Sequence, residues 1–115
     1  MFVPRKMHHV AFGVRDFEKS IEFYTVVLGL ELVFKNDNMA HVRLGDSTLE
    51  LFRTGGSNEL ASDQNIGLRH FSIGVDNLQE ACESLKAKGV EFYIENPGYA
   101  FFRDPDNISI ELNKV

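Results

Sequence analysis

A chain of 115 residues is long enough for one compact domain and too short for two independent domains of ordinary size. Its composition, 43% hydrophobic and 25% charged, is that of a globular protein and argues against disorder. The net charge of −5 argues against nucleic-acid binding, because neutralising phosphates requires clustered lysine and arginine. No apolar signal segment or membrane span is recognisable, so we expect a cytoplasmic protein with no membrane partner.

The first half of the chain predicts the element order βαβββ. A strand is predicted over 7–14, where β-branched and aromatic residues alternate with others. A helix is predicted over 17–28, because apolar residues recur at helical spacing between the N-cap Asp16 and the stop signal Gly29. Three strands complete this half, over 30–35, 39–44 and 47–53. The turn sequence GDS at 45–47 joins the last two strands.

The second half predicts the same order. A strand is predicted over 68–75 and a helix over 78–88, with Asn77 as its N-cap and Gly89 as its stop signal. Three more strands follow, over 90–95, 99–103 and 107–113, with the turn sequence DPDN between the last two. The segment 54–66 between the halves is rich in Gly, Ser, Asn and Asp, which is typical of a linker.

The two halves are copies of each other. A shift of 61 positions aligns His9 with His70 and Glu50 with Glu111. The segment GLELVF aligns with GVEFYI at a shift of 60, so one half carries a single-residue adjustment. A repeat unit of this length indicates one supersecondary module copied by duplication. The prediction is an α+β fold, a single domain over 1–115 made of two tandem βαβββ modules at about 6–53 and 67–114.

Four polar side chains have equivalent places in the two modules. Strand alternation puts His9 and His70 opposite the apolar, helix-facing side chains, beside small residues that leave space. Glu50 and Glu111 lie on the polar side of each last strand, 41 residues after the histidines. Imidazoles and carboxylates suit first-row divalent cations, so the sequence predicts a metal site; Ni²⁺, Zn²⁺, Co²⁺, Fe²⁺ and Mn²⁺ all stay open. For any one of the four taken alone, the favoured interpretation is a half-exposed strand residue on a solvated face; it is the equivalent placement of all four that favours the metal.

Three further residues are interpreted as structural. Cys82, the only cysteine, falls on a predicted amphipathic helix and is typical of a small packing residue. His8 is expected to be a packed or surface histidine. His41 is interpreted as a surface strand residue, with pocket lining as the alternative, because the second module has no histidine at the matching place.

A resemblance to the vicinal oxygen chelate superfamily is carried by three stretches, HHVAFGVRDFEKSIEFYTVVLGLEL, LRHFSIGVDNLQEACESLKAKGVEF and FFRDPDNISIEL. This superfamily includes glyoxalase I, bleomycin-resistance proteins and extradiol dioxygenases. The resemblance implies paired modules that form a curled mixed sheet around a metal cavity, usually in a homodimer. It implies metal ligands at His9, Glu50, His70 and Glu111, and a carboxylate at both last-strand positions is most similar to glyoxalase I.

The resemblance to glyoxalase I implies a metal-dependent isomerase or lyase. Its substrate would be a small molecule with two adjacent oxygens, such as a 2-oxoaldehyde hemithioacetal, converted through an enediolate by a glutamate acting as general base and then general acid. Glu111 is the expected base and Glu50 the alternative, while Phe52, Phe101 and Arg103 are expected to line the substrate pocket. Acyl-thioester epimerisation, oxygen-dependent ring cleavage and non-catalytic binding of a drug or metabolite stay open.

Overall fold

The computed structural model describes residues 1–57 and 66–115. The chain divides into two compact units, Met1–Gly56 and Ser57–Val115, and each contains one of the predicted modules. Most of the predicted linker 54–66 lies outside the described residues, because 58–65 are not among them. Of the helices in the described ranges, none has the length and hydropathy that crossing a membrane requires.

The first unit is a four-stranded mixed sheet packed against one helix. Its elements are β1 (His9–Val14), α1 (Phe17–Glu22), β2 (Glu31–Lys35), β3 (Met39–Leu44) and β4 (Ser47–Arg53). The sheet order is β1-β4-β3-β2, with β1 parallel to β4 and the other pairs antiparallel. As predicted, Asp16 caps the helix, and its carboxylate accepts a hydrogen bond from the Lys19 backbone N–H at 3.1 Å.

The second unit repeats this arrangement. Its elements are β5 (His70–Val75), α2 (Leu78–Ala87), β6 (Phe92–Glu95), β7 (Tyr99–Arg103) and β8 (Ser109–Lys114), in the sheet order β5-β8-β7-β6. The Asn77 side chain caps α2 by accepting a hydrogen bond from the Glu80 backbone N–H at 3.0 Å. The predicted α+β fold with two tandem βαβββ modules is therefore confirmed, and each module forms its own four-stranded sheet.

A π-helical segment, Phe23–Val27, continues α1 and explains why the shift between the two copies changes from 61 before the helices to 60 after them. The Leu28 backbone N–H donates to the Phe23 carbonyl, five residues back, at 2.9 Å. A π turn closes over one more residue than an α turn. The first copy therefore absorbs its extra residue inside the helix and still ends at Gly29, whose φ of 74° is in the left-handed region.

A difference between the last hairpins of the two units returns the shift from 60 to 61. In the first unit Leu44 pairs with Ser47 across a two-residue turn. In the second unit the loop is longer: Asn107 has a φ of 66°, and the Asp104 N–H donates to the Ile108 carbonyl at 3.0 Å. This extra loop residue restores the shift of 61, so that Glu111 occupies the register position of Glu50.

The side chains that form the core of each unit lie between its sheet and its helix. They are Val14, Phe17, Ser20, Tyr24, Ala40, Val42, Leu49 and Leu51 in the first unit, and Leu78, Cys82, Leu85, Ala100, Phe102, Ile110 and Leu112 in the second. Fully burying each large aliphatic or aromatic side chain contributes about 1.5–3 kcal/mol. This requirement fixes which way each strand faces and leaves the opposite face of each sheet, here called the polar face, to the histidines and glutamates.

The small residues that share a strand face with His9 and His70 are expected to leave space, but at the two glycines among them, Gly13 and Gly74, this expectation is wrong. A Cβ at Gly13 would lie 2.8 Å from Thr54 Cγ2, and a Cβ at Gly74 would lie 2.5 Å from Val115 Cγ1. Thr54 and Val115 follow the last strand of their modules and donate equivalent backbone hydrogen bonds, each 3.0 Å long, to the first strand. The absence of a side chain at these two glycines therefore makes room for Thr54 and Val115.

Candidate functional site

In the first unit, the polar face brings His9 against Glu50. Ala11 lies opposite Glu50 in the parallel β1–β4 pair, and His9 is on the same side of β1 as Ala11. His9 Nδ1 lies 3.3 Å from Glu50 Oε2; the imidazole side chain is 41% exposed, whereas the carboxylate side chain is only 14% exposed. A mostly buried carboxylate therefore faces an imidazole that solvent or a ligand can reach.

The second unit places His70 and Glu111 in the same way. His70 Nε2 lies 3.2 Å from Glu111 Oε1, and the two groups make a hydrogen bond. Phe101 is directly opposite Glu111 in β7, and its ring meets the His70 ring edge-on with centroids 4.9 Å apart. Each unit therefore carries one histidine–glutamate pair formed by two neighbouring strands, which are the first and the last of its module in chain order.

Another histidine, His41, lies beside the pair of His9 and Glu50, although it is not one of the predicted metal ligands. Its Nε2 lies 3.6 Å from Glu50 Oε1, and its side chain is 26% exposed. His8 is exposed, and its Nδ1 lies 2.8 Å from His9 Nδ1. The sequence did contain the signal for His41, since a two-residue turn at 45–46 places residues 41 and 50 opposite each other.

The three residues expected to line a substrate pocket occupy the polar faces of their sheets. Phe52 is on the same side of β4 as Glu50, and Phe101 is opposite Glu111. Arg103 is two residues further along β7, where it pairs with Ser109.

Aromatic and hydroxyl groups hold the Arg103 side chain. Its Cζ lies 4.2 Å from the centre of the Tyr93 ring, and its Nη1 donates to Ser109 Oγ at 3.3 Å. The Tyr93 hydroxyl also makes a short contact with Ser109 Oγ. The corresponding arginine of the first unit, Arg43, is instead paired with Glu31 at 3.0 Å. Over the described parts of the chain, Arg103 has no carboxylate partner.

The described side chains do not assemble a complete metal centre within either unit. Over residues 1–57 and 66–115, no group of three or more His, Cys, Asp and Glu side chains is arranged to hold a metal ion. What each unit offers is two adjacent donors of the types that divalent cations bind, an imidazole nitrogen and a carboxylate oxygen.

The cysteine has the structural role that the sequence predicts. Cys82 is buried in α2 with 3% of its surface exposed. Burial, followed by the negative charge of Glu95, raises the pKa of the Cys82 thiol. The thiol is therefore protonated and hidden at neutral pH, which disfavours both metal ligation and nucleophilic chemistry.

Comparisons with known proteins identify the family of this chain. Residues 6–112 match the sequence model of the Glyoxalase/Bleomycin resistance protein/Dioxygenase superfamily. The chain is 34% identical over 122 residues to a probable lactoylglutathione lyase of Vibrio cholerae, covering 90% of this chain and 86% of that protein. It is 32% identical over 124 residues to a lactoylglutathione lyase of Escherichia coli O157:H7, covering 93% and 90%. The solved structure of the trypanothione-dependent glyoxalase I of Leishmania major is similar with a TM-score of 0.78 at 28% identity, covering 96% of this chain and 87% of that one.

Proposed function

Since the chain belongs to the Glyoxalase/Bleomycin resistance protein/Dioxygenase superfamily, we propose that it is a metal-dependent lyase of the lactoylglutathione lyase type. Its proposed substrate is the hemithioacetal of a 2-oxoaldehyde, and the reaction moves a proton between two neighbouring carbons by way of an enediolate. The observation that carries the proposal is the repeated pair, His9 with Glu50 at 3.3 Å and His70 with Glu111 at 3.2 Å. None of these four residues is among the buried side chains of either core.

The proposed metal ligands are His9, Glu50, His70 and Glu111. Their donor atoms suit a divalent first-row cation, and none is a thiolate that would favour a closed structural zinc site. Each unit contributes one of the two pairs to this proposed ligand set. When bound, the cation supplies Lewis-acid stabilisation of the negative charge that develops on the substrate oxygens.

The proposed general base is Glu111, with Glu50 as the alternative. A carboxylate in this role takes the proton from one substrate carbon and returns it to the next, so it must reach both carbons. Glu111 has a side chain that is 17% exposed and a single imidazole contact, from His70. Partial burial keeps water away from the carboxylate without closing it to a substrate.

Arg103 supports a substrate with a negatively charged group. Its guanidinium has no carboxylate partner in the described ranges, and the stack on Tyr93 holds it in place. A guanidinium held in this way is suited to bind a carboxylate through two parallel hydrogen bonds. We propose that Arg103 binds an anionic group of the thiol part of the substrate, and that Phe52 and Phe101 contact its apolar part.

A homodimer in the cytoplasm is the proposed state of the protein. The edge strands β2 and β6 expose apolar side chains, namely Leu32, Val33, Phe34, Tyr93 and Ile94. Exposed apolar edge strands favour association, and a second copy of the chain would cover them. Light scattering should give twice the 13.1 kDa chain mass. A fully active monomer would contradict the dimer.

The test of the proposed function is metal analysis combined with a substrate panel. The purified protein is stripped, reloaded with Ni²⁺, Co²⁺, Zn²⁺, Fe²⁺ or Mn²⁺, and assayed with hemithioacetals, acyl thioesters and catechols. We expect hemithioacetal turnover that depends on metal and is lost in Glu50→Ala, whereas the exposed control Glu18→Gln behaves as wild type. Thioester or catechol turnover would point to an epimerase or a dioxygenase, and a stoichiometric ligand complex without metal would point to a binding protein.

A further inference from the structure

We propose that His41 is a positioning residue that fixes the carboxylate of Glu50, and that the absence of its counterpart leaves Glu111 the more mobile of the two glutamates. This inference rests on the proposed function, because it assigns different roles to two groups that the repeat makes equivalent. Under that function His41 would keep the carboxylate of Glu50 oriented to hold a divalent cation, whereas Glu111, with one restrained oxygen fewer, would be the freer of the two to serve as the base.

The first observation is that both oxygens of Glu50 face an imidazole. His9 Nδ1 lies 3.3 Å from Oε2, and His41 Nε2 lies 3.6 Å from Oε1. Residues 41 and 50 are direct partners in the antiparallel β3–β4 pair, so the sheet itself sets their separation. The carboxylate therefore lies between two rings that neighbouring strands hold in place.

The second observation is that the facing nitrogen of His41 is buried and unsatisfied. Within the described parts of the chain, His41 Nε2 has no solvent exposure and no hydrogen-bond partner. The Phe34 ring packs against the His41 ring with centroids 5.1 Å apart, which restricts rotation of the imidazole. A buried polar nitrogen is costly unless it is paired. The group that it faces is Glu50, at 3.6 Å, which is roughly 0.6–0.7 Å longer than an ordinary N–H···O hydrogen bond.

The third observation is that the second copy lacks this nitrogen. Phe101 takes the place opposite Glu111 that His41 takes opposite Glu50. A phenyl ring cannot donate a hydrogen bond to a carboxylate oxygen. Among the hydrogen bonds and ion pairs of the described side chains, Glu111 has one partner, His70, which it meets through Oε1. One glutamate thus has an imidazole on each oxygen, and the other has an imidazole on one.

This difference matters for a metal enzyme that also needs a base. A ligating carboxylate whose second oxygen is held by a neighbouring donor keeps its orientation, and losing such a partner typically weakens metal binding 10- to 100-fold. A carboxylate restrained at one oxygen only would be freer to reorient toward a substrate carbon. The asymmetry between His41 and Phe101 therefore favours Glu50 as the fixed ligand and Glu111 as the moving base.

The experiment measures Co²⁺ affinity of the stripped protein by its visible absorbance, independently of turnover. We expect His41→Phe to bind Co²⁺ 10- to 100-fold more weakly than wild type. His41→Gln should recover most of this affinity, because its amide N–H can donate to Glu50. The matched control Met39→Leu, on the same face of β3, should bind as wild type. If His41→Phe binds Co²⁺ as tightly as wild type, the positioning role is overturned.

A reciprocal variant tests the same idea in the second unit and does not depend on the folding of His41→Phe. Phe101→His gives Glu111 the second imidazole, so it should bind Co²⁺ more tightly than Phe101→Leu and turn over hemithioacetal more slowly than that control. Equal affinity and turnover of the two variants would overturn the inference. If wild type binds Co²⁺ and the variants show no differences, only the role of His41 fails. If wild type binds no Co²⁺, the proposed function fails together with it.

Discussion

Replacing Glu111 with glutamine separates proton transfer from metal binding. In the present chain His70 Nε2 lies 3.2 Å from Glu111 Oε1. Glutamine has the same shape as glutamate and keeps an oxygen that can accept this hydrogen bond. It cannot take up a proton near neutral pH, so turnover should fall about 10²- to 10⁴-fold, the usual contribution of a general base. This loss corresponds to about 3–5 kcal/mol in the activation free energy.

The effect of this substitution on folding should be small by comparison. Glu111 and His70 are both partly exposed, at 17% and 33%, and a pair of this kind contributes at most about 1 kcal/mol to the free energy of unfolding. The assay is the initial rate of thioester formation from methylglyoxal and glutathione, with bound metal measured in the same sample. The control is Glu83→Gln, an exposed glutamate of α2 that hydrogen-bonds Gln79.

A result of one kind would refute the reasoning. If fully metal-loaded Glu111→Gln keeps turnover within about tenfold of wild type, Glu111 is not the base. Glu50→Gln then becomes the variant that should lose turnover while keeping its metal, and the assignment of the two roles is reversed.

Three further predictions test the substrate site and the stability of the fold. Arg103→Met should raise KM roughly tenfold for a hemithioacetal whose thiol part carries carboxylates, because a charge-assisted hydrogen bond contributes about 1.5 kcal/mol or more. KM for a hemithioacetal made from a neutral thiol should change little, and an equal change for both substrates would reject anion binding. Burial and Glu95 raise the pKa of Cys82, so the thiol holds its proton more tightly in the folded than in the unfolded chain, and the free energy of unfolding should fall as pH rises above about 8.5. In urea titrations, the free energy of unfolding of Cys82→Ala should fall less with pH than that of wild type, and an equal fall in both would exclude this cause. Asn107 has a φ of 66°, so in thermal melts Asn107→Ala should lower the free energy of unfolding by about 1 kcal/mol and Asn107→Gly should not. Equal losses in both variants would show that the backbone conformation is not the cause.

The repeat made much of the fold predictable. Two copies of one hydrophobic pattern had to agree on strand faces, helix starts and turn residues, and each copy served as a check on the other. The helices begin at Phe17 and Leu78, as the caps Asp16 and Asn77 predict. The π-helical turn was not predictable in kind: the offset of the repeat revealed an extra residue but not the way in which the helix would absorb it.

The candidate site was predicted in part, for a related reason. Alternation in the strands was enough to put Glu50 and Glu111 on the polar faces, because burial of the flanking leucines and isoleucines allows only one register. The sequence favours a surface position for His41, because the second copy has no histidine at the matching place and the repeat therefore gives no sign of a role for it. Its role depends on cross-strand distance rather than on repetition.

The sequence by itself determined the duplicated βαβββ order and the face on which each histidine and glutamate lies, since both follow from local periodicity and turn chemistry. Only the tertiary structure decided that each histidine lies within about 3.3 Å of its glutamate, that Glu50 faces a second imidazole, and that Thr54 and Val115 fill the space beside the two glycines. These features join residues from strands far apart in the chain, and rotamers and packing set their distances, which no local pattern encodes.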